Sequence, residues 1–269
     1  MPLLRHFIPP QYQNKGKVWD IQSAPNGMVY MAADRGLLAF DGRTWESFRG
    51  SAGFIRSLLV TDDSTIYTGS DLDFGRWMRN AKNAWEYTSL YPFREDVQEV
   101  NEEFWDVHAL DGSIVFVSSQ SLYLYKNDQL TRVAAPTKFS GSHMLGDTLY
   151  LADDKQGLFA LERLSLRQVF ENPVDGSFEM SGMYRYEQGM VVVTRNTGLY
   201  LFASGKVARL ENPLTRLLQG AIEFSFITIG DSYLAFGTVM KGLFITDMDG
   251  NIIHRVNRYK GLLSNTILS

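Results

Sequence analysis

The chain has 269 residues, of which 45% are apolar, 13% aromatic and 21% charged, and its formal charge is −4. That describes a globular chain with material for a real core, and it excludes the basic footprint of a nucleic-acid or membrane-surface binder. The absence of cysteine removes disulfides, thiolate chemistry and cysteine-ligated metals together, and no apolar run approaches the length of a membrane span.

Met1-Pro2-Leu3-Leu4-Arg5 begins too abruptly for the regions of a signal peptide, which leaves open a cytoplasmic protein or a removed leader. In the N-terminal segment, 1–17, the apolar run Leu3-Leu4-Arg5-His6-Phe7-Ile8 suits an outer strand that closes the last repeat of a ring. Val18-Trp19-Asp20-Ile21 reads as a short inner strand, ended by the Pro25-Asn26-Gly27 turn. Met28–Ala32 is a second strand, Leu37–Phe40 a third after the Asp34-Arg35-Gly36 bend, and Thr44–Phe48 an outer strand after Asp41-Gly42. One repeat is therefore four antiparallel strands.

The Gly-Leu-aromatic signature of the third strand returns as Gly157-Leu158-Phe159, Gly198-Leu199-Tyr200 and Gly242-Leu243-Phe244, with Gly36-Leu37-Leu38 as the first copy. Degenerate copies at Phe74-Gly75-Arg76-Trp77 and Gln120-Ser121-Leu122-Tyr123 fill the gap, so the intervals are 39, 46, 36, 41 and 44 residues. A period near forty belongs to propeller blades, each of which buries its faces only against its neighbours. The glycine supplies a positive φ at the reversal into the third strand, and the leucine and aromatic after it pack between blades.

The fold class expected is all-β, a propeller of six blades at about 18–50, 54–90, 102–136, 137–173, 176–213 and 217–261, with 262–269 starting a seventh. The second repeat replaces its bend with the longer, charged Asp71-Leu72-Asp73. Between the second and third blades, Tyr91–Glu103 carries Glu95, Asp96, Glu99, Glu102 and Glu103 and reads as a solvated acidic loop.

Val18-Trp19-Asp20-Ile21, Pro25-Asn26-Gly27, Gly36-Leu37-Leu38, Phe40-Asp41-Gly42 and Trp45 together resemble the repeat of two-component regulator propellers. Gly261-Leu262-Leu263-Ser264-Asn265 is similar to the segment by which those repeats begin a new inner strand. The resemblance implies a periplasmic sensor region of hybrid histidine kinases or related transcriptional regulators, in which seven-bladed propellers precede a β-sandwich and a membrane span and many members respond to carbohydrate fragments. The sequence lacks the remaining blades, sandwich, membrane helix, kinase and DNA-binding segments, so no kinase activity resides in these residues. WD repeats are a poorer match, because Trp19-Asp20 and Trp105-Asp106 sit on inner strands rather than near the end of a third strand.

His6, His108, His143 and His254 match no metal-ligand spacing, and Asp247-Met248-Asp249-Gly250-Asn251 departs from a calcium loop in its glycine and in Arg258 at the twelfth position. No catalytic residue, metal or cofactor is expected. The pairs Asp71 with Asp73 and Asp153 with Asp154 could serve glycoside hydrolysis in principle, but solvated turns explain them as well.

Propeller geometry gathers the loops between second and third strands, with the starts of the inner strands, around one mouth of the channel. Those loops supply Asp34, Arg35, Asp71, Asp73, Gln120, Asp153, Lys155 with Gln156, Arg195, Asn196 and Lys241, groups suited to sugar hydroxyls or an anionic glycan, or present because loops are wet. Trp19 and Trp105, at equivalent points of their repeats, serve as stacking platforms or as core fillers. The sequence thus points to a non-catalytic sensor of a small carbohydrate or other polar ligand. An interaction scaffold and a glycan-active propeller enzyme are the alternatives. Unpaired sheet edges after the sixth blade predict self-association, with a homodimer as one form of it, relieved by further blades and a β-sandwich of a parent chain.

Overall fold

Short apolar runs separated by Asn-Gly and Asp-Gly turns pair with their nearest neighbours in sequence, and each repeat folds into an antiparallel meander. A computed structural model describes residues 5–12, 16–50, 53–92, 102–187, 189–218 and 222–267. Among them are twenty-four strands in six sheets of four, each sheet ordered as its strands follow in sequence. The inner strands, which begin blades 1 to 6, are Val18–Ser23, Ile55–Asp62, Phe104–Leu110, Phe139–Leu145, Met180–Tyr186 and Ile222–Ile229. Among the described residues, helix is confined to Pro9–Tyr12, Pro213–Leu218 and the single 3-10 turn Arg258–Lys260.

The chain divides into two compact units, Phe7–Ala134 with blades 1 to 3, and Ala135–Ser269, with Met1–His6, holding blades 4 to 6. In the first unit, Leu37 and Ala39 of blade 1 pack against Ile55, Leu58, Ile66 and Trp77 of blade 2. Phe74 of blade 2 then stacks on Phe116 of blade 3, centroids 4.2 Å apart, beside Phe104 and Tyr123. In the second unit, Leu158 of blade 4 meets Phe178, Met183 and Val192 of blade 5, and Tyr184, Val193 and Leu199 of blade 5 meet Phe226, Phe236 and Phe244 of blade 6. Each fully buried side chain of this size contributes about 1.5–3 kcal/mol relative to exposure, so the blade interfaces hold the fold.

The glycines of the signature have the conformation their position demands: φ is +122° at Gly36, +105° at Gly157, +104° at Gly198 and +90° at Gly242. A second constraint adds to the first, since a Cβ on Gly36 would collide with the carbonyl oxygen of Phe48, and one on Gly242 with that of Val256. The outer strand runs too close for any side chain there.

An inner strand leaves one edge without a strand partner, and side chains satisfy it. Leu58 N donates to Asp20 Oδ2 at 3.0 Å and Val60 N to Gln22 Oε1 at 3.1 Å, while Gln22 Nε2 donates to the Leu58 carbonyl at 2.6 Å. Ser57 Oγ donates to the Phe104 carbonyl at 3.0 Å, linking blades 2 and 3 in the same way.

Three expectations need correction. Residues 5–8 form no strand, because Pro9 and Pro10 lack the N–H a ladder needs and open a helical turn instead; Leu3 and Leu4 lie outside the described residues. Phe7 instead meets Phe40 and Trp45 edge-on, with centroids 5.0 and 5.2 Å away. In the acidic loop, Glu95, Asp96 and Glu99 lie outside the described residues, and Glu102 is not solvated: it is 1% exposed and accepts the Tyr123 hydroxyl at 3.0 Å. Burial beside this carboxylate pushes the Tyr123 phenol well above its ordinary pKa.

The described C-terminal residues, 262–267, contain no strand, so a seventh blade is not present among the described residues. They nevertheless reach its expected starting place. Gly242 N donates to Asn265 O at 2.8 Å, Ile267 N donates to Thr238 O at 3.1 Å, and the Ile267 side chain lies over Gly237 as Phe104 lies over Gly69 between blades 2 and 3.

Candidate functional site

The loops between second and third strands meet the starts of the inner strands through a repeated backbone hydrogen bond. Asp34 N donates to Lys17 O at 3.1 Å, Asp71 N to Phe54 O at 3.1 Å, Asp154 N to Lys138 O at 2.9 Å and Arg195 N to Glu179 O at 3.0 Å. In each case the acceptor is the residue just before an inner strand. The second residue of that strand is thereby held beside the loop.

In the first unit the second residues of the three inner strands are Trp19, Arg56 and Trp105, and they touch. The Arg56 guanidinium carbon lies 4.3 Å from the ring centre of Trp19 and 4.8 Å from that of Trp105, and the two indoles meet edge-on at 5.7 Å. Two loop carboxylates anchor the group. Asp34 Oδ1 accepts Trp19 Nε1–H at 2.6 Å, and Asp71 accepts Arg56 Nε–H at 2.7 Å and Nη2–H at 3.3 Å. Asp34 also accepts Lys17 N at 2.9 Å, and the Lys17 ammonium sits 5.0 Å from the Trp19 ring. Around this centre Phe54 and Leu72 are exposed, Leu72 at a φ of +66°.

Chemically the arrangement is an aromatic platform with a fixed guanidinium in its middle. Arg56 has its charge matched by Asp71 and its planar faces covered by indoles, so it stiffens the group rather than standing as a free cation. Trp105 is 40% exposed and presents apolar ring surface beside N–H donors and carboxylate acceptors. Among the described residues no group of three or more His, Cys, Asp or Glu side chains could hold a metal.

Of the residues named from sequence, Trp19, Asp34, Asp71 and Trp105 are brought together, with Arg35 exposed on the same loop as Asp34. Gln120 is exposed on the corresponding loop of blade 3. Asp73 is not at the mouth. It is 2% exposed, and Tyr87 Oη and Ser89 Oγ donate to it at 2.8 and 2.7 Å from the outer strand of its own blade.

In the second unit, Asp153 is fully buried and holds its own loop, accepting Thr137 N at 2.7 Å, Lys138 N at 3.0 Å, Gln156 N at 3.0 Å and the Thr137 hydroxyl, so it is a staple rather than a ligand group. These bonds hold its pKa below the usual carboxylate value against the opposing effect of burial. Lys241 Nζ donates to Leu217 O at 3.1 Å, which ties it to the helix before blade 6. Lys155 and Asn196 are exposed and Arg195 is half-buried.

Sequence reasoning missed Arg56 and Phe54. The signal was alignment: Val18-Trp19, Ile55-Arg56 and Phe104-Trp105 occupy the same two places in successive repeats, and an arginine between two tryptophans of one ring of positions is a stacking arrangement. Deeper along the inner strands, Asp20 is pushed up to about 6, first by burial and further by Asp106, while burial lowers His108.

Six four-stranded meanders with inner-strand side chains gathered beside the second-to-third loops define a β-propeller. No family model matches the chain, and no curated protein does. Among solved structures, it is similar to the extracellular domain of BT4673 of B. thetaiotaomicron, described both as a one-component and as a hybrid two-component system. The TM-score is 0.71 at 14% identity over 94% of this chain. This chain spans 36% of the length of that one. It is also similar to the WD40 propeller domain of Doa1, with a TM-score of 0.69 at 10% identity over 95% of this chain and 86% of the other. Virginiamycin B lyase of Staphylococcus aureus gives 0.68 at 10% identity over 89% and 84%. At these identities the likeness establishes the propeller fold.

Proposed function

We propose that this chain is a ligand-sensing propeller segment of an extracytoplasmic, periplasmic receptor in a two-component or one-component regulatory system. It recognises a carbohydrate fragment without transforming it. The observation that carries the reading is the Trp19–Arg56–Trp105 platform: an exposed indole on a base made rigid by a two-point ion pair, the combination of ring surface and fixed polar groups that sugar-sized ligands use. The fold shared with an extracellular domain of a signalling protein supports it, as does the sequence resemblance to regulator propellers. Further blades and a β-sandwich in a parent kinase or regulator belong to the same proposal.

The fold alone does not separate sensor from enzyme, since one of its likenesses is a lyase. A panel of gluco-, xylo-, manno- and galacto-oligosaccharides, followed by calorimetry and by analysis for released products, tests both points. The expected result is binding without product, weakened at least about tenfold in Trp105→Ala and left unchanged in Arg195→Ala, a half-buried side chain of the other unit. Turnover of any oligosaccharide, or binding indifferent to Trp105→Ala, overturns the reading.

A further inference from the structure

At the opposite end of blades 2 and 3 from the platform lies a polar groove of about 310 Å³. Its walls are the turn between the inner and second strands of blade 2, with Thr61 and Thr65, the strand pair Tyr67 and Arg76, and the turn of blade 3 that carries Tyr125 and Lys126. Arg76 is anomalous. Its Nε–H is buried without a hydrogen-bond partner, and among the described residues the guanidinium makes no ion pair.

A buried cationic donor left without an acceptor is costly, and native structures supply a partner from the chain, from water or from a ligand. The neighbouring groups do not supply one. Asp62 is engaged by its own turn, accepting Ser64 N and Ser64 Oγ, both at 2.7 Å. The Tyr125 hydroxyl donates to Asp128 at 2.5 Å, and Lys126 Nζ donates to Asp111 O at 2.6 Å, which fixes the ammonium at the rim without neutralising it. The guanidinium is close enough to Tyr125 to offset part of the rise that Asp128 and burial impose on that phenol.

The groove between blades 4 and 5 at the same end provides an internal comparison. There Arg185 shares the lining with Glu187, and the rest is largely apolar, Phe170, Met190 and Phe202 among it. Of these two grooves, the one between blades 2 and 3 combines two cations, aromatic rings and hydroxyls.

We propose that this groove binds a small oxyanion-bearing ligand about the size of one sugar ring, its carboxylate, sulfate or phosphate received by Arg76 and Lys126 and its ring by Tyr67 and Tyr125. The site stands independently of the platform and of its carbohydrate reading. The two Nη groups of Arg76, which are not buried as Nε is, receive the oxyanion in two-point geometry, and the threonine hydroxyls serve the ring's polar edge. A volume near 300 Å³ is the lower end of ligand pockets, which suits a monosaccharide.

The test titrates the whole chain with D-glucuronate, D-glucose 6-sulfate, D-glucose 6-phosphate, D-glucose and inorganic sulfate, followed by calorimetry and by NMR. At least one charged sugar is expected to bind and glucose is not, with affinity falling as salt rises. Arg76→Gln is expected to weaken binding by about ten- to a hundredfold at a ligand-free melting temperature no lower than the parent's, and Arg56→Gln to leave binding intact. Should Arg76→Gln fail to fold, Lys126→Gln, on an exposed side chain, gives the same reading. No binding by any charged sugar, binding indifferent to both groove variants, or loss with Arg56→Gln instead overturns the site. Inorganic sulfate bound as tightly as the sugar sulfate overturns its sugar-ring half.

Discussion

Asp71 grips Arg56 at two points, Oδ1 to Nε at 2.7 Å and Oδ2 to Nη2 at 3.3 Å, from side chains only 23% and 10% exposed. The pair joins the second-to-third loop of blade 2 to the inner strand of the same blade and sets the plane on which Trp19 and Trp105 lean. Removing the carboxylate leaves a largely buried guanidinium short of its partner, so Asp71→Ala is expected to lower stability by about 1–3 kcal/mol. Arg56→Lys keeps the charge but not the fork, and is expected to loosen both indoles, seen as a red-shifted and less anisotropic tryptophan emission. An Asp71→Ala variant with parental denaturation midpoint and emission contradicts the role given to this pair.

Trp19 and Trp105 divide the work differently. Trp19 is partly buried and donates to Asp34, so Trp19→Phe is expected to cost about 0.5–1.5 kcal/mol by urea denaturation. Trp105 is 40% exposed, and Trp105→Ala should change stability by less while removing the surface a ligand would stack on. Equal losses in the two variants mean that Trp105 is a core residue after all.

The fold was legible because its punctuation is chemical. The positive φ at Gly36 and the close outer strand can be met only by glycine, so the signature marks every clear third strand. The site was legible only in part, for two physical reasons. Loop carboxylates look alike in sequence whether they face out, like Asp34, or inward onto Tyr87 and Ser89, like Asp73, because the direction depends on the twist of one turn. Arg56 carries no local mark at all; its meaning comes from Trp19 and Trp105, which are distant in sequence and adjacent only after blades pack.

The two constraints on the signature glycine can be separated by substitution. Gly205 has a φ of +72° with open space around a Cβ, whereas Gly36 has a φ of +122° and the Phe48 carbonyl in the way. Gly205→Ala is expected to cost about 1–2 kcal/mol, the strain of the left-handed region alone. Gly36→Ala must in addition displace the outer strand, and a larger loss of melting temperature checks this. Equal losses mean the outer strand yields freely.

In the second unit, the face of blade 6 turned away from blade 5 is open where the same face of blade 5 is covered. Strand register makes Ile227 the counterpart of Tyr184, and their exposures are 62% and 1%. Ile229 and Tyr233, paired on that face, are exposed as well. Apolar surface of this kind drives association, so the chain is expected to scatter light as a species larger than a monomer, and Ile227→Lys to shift it toward monomer. Monomeric parent protein at high concentration counts against an adhesive face.

Acidity should act through Asp20, whose carboxylate is pushed from the ordinary 3.8 to about 6, first by burial and then by Asp106, against the hydrogen bonds from Leu58 and Ile21. The folded state therefore holds this proton more tightly than the unfolded chain does. Keeping Asp20 charged costs nothing below the unfolded value, costs progressively more as pH rises from about 4 to about 6, and costs its full amount above that. Asp20→Asn removes the charge while its amide oxygen still accepts Leu58 N–H, the contact that is 3.0 Å in the parent. The variant is expected to match the parent's melting temperature near pH 4 and to exceed it by a few degrees at pH 7. Asp41, the other strongly shifted carboxylate, is held down at about 2 by Thr44 and Arg43, so its contribution is lost only below this window and does not mimic the effect. A parent-to-variant gap that is constant from pH 4 to 7 means that Asp20 does not carry the buried charge assigned to it.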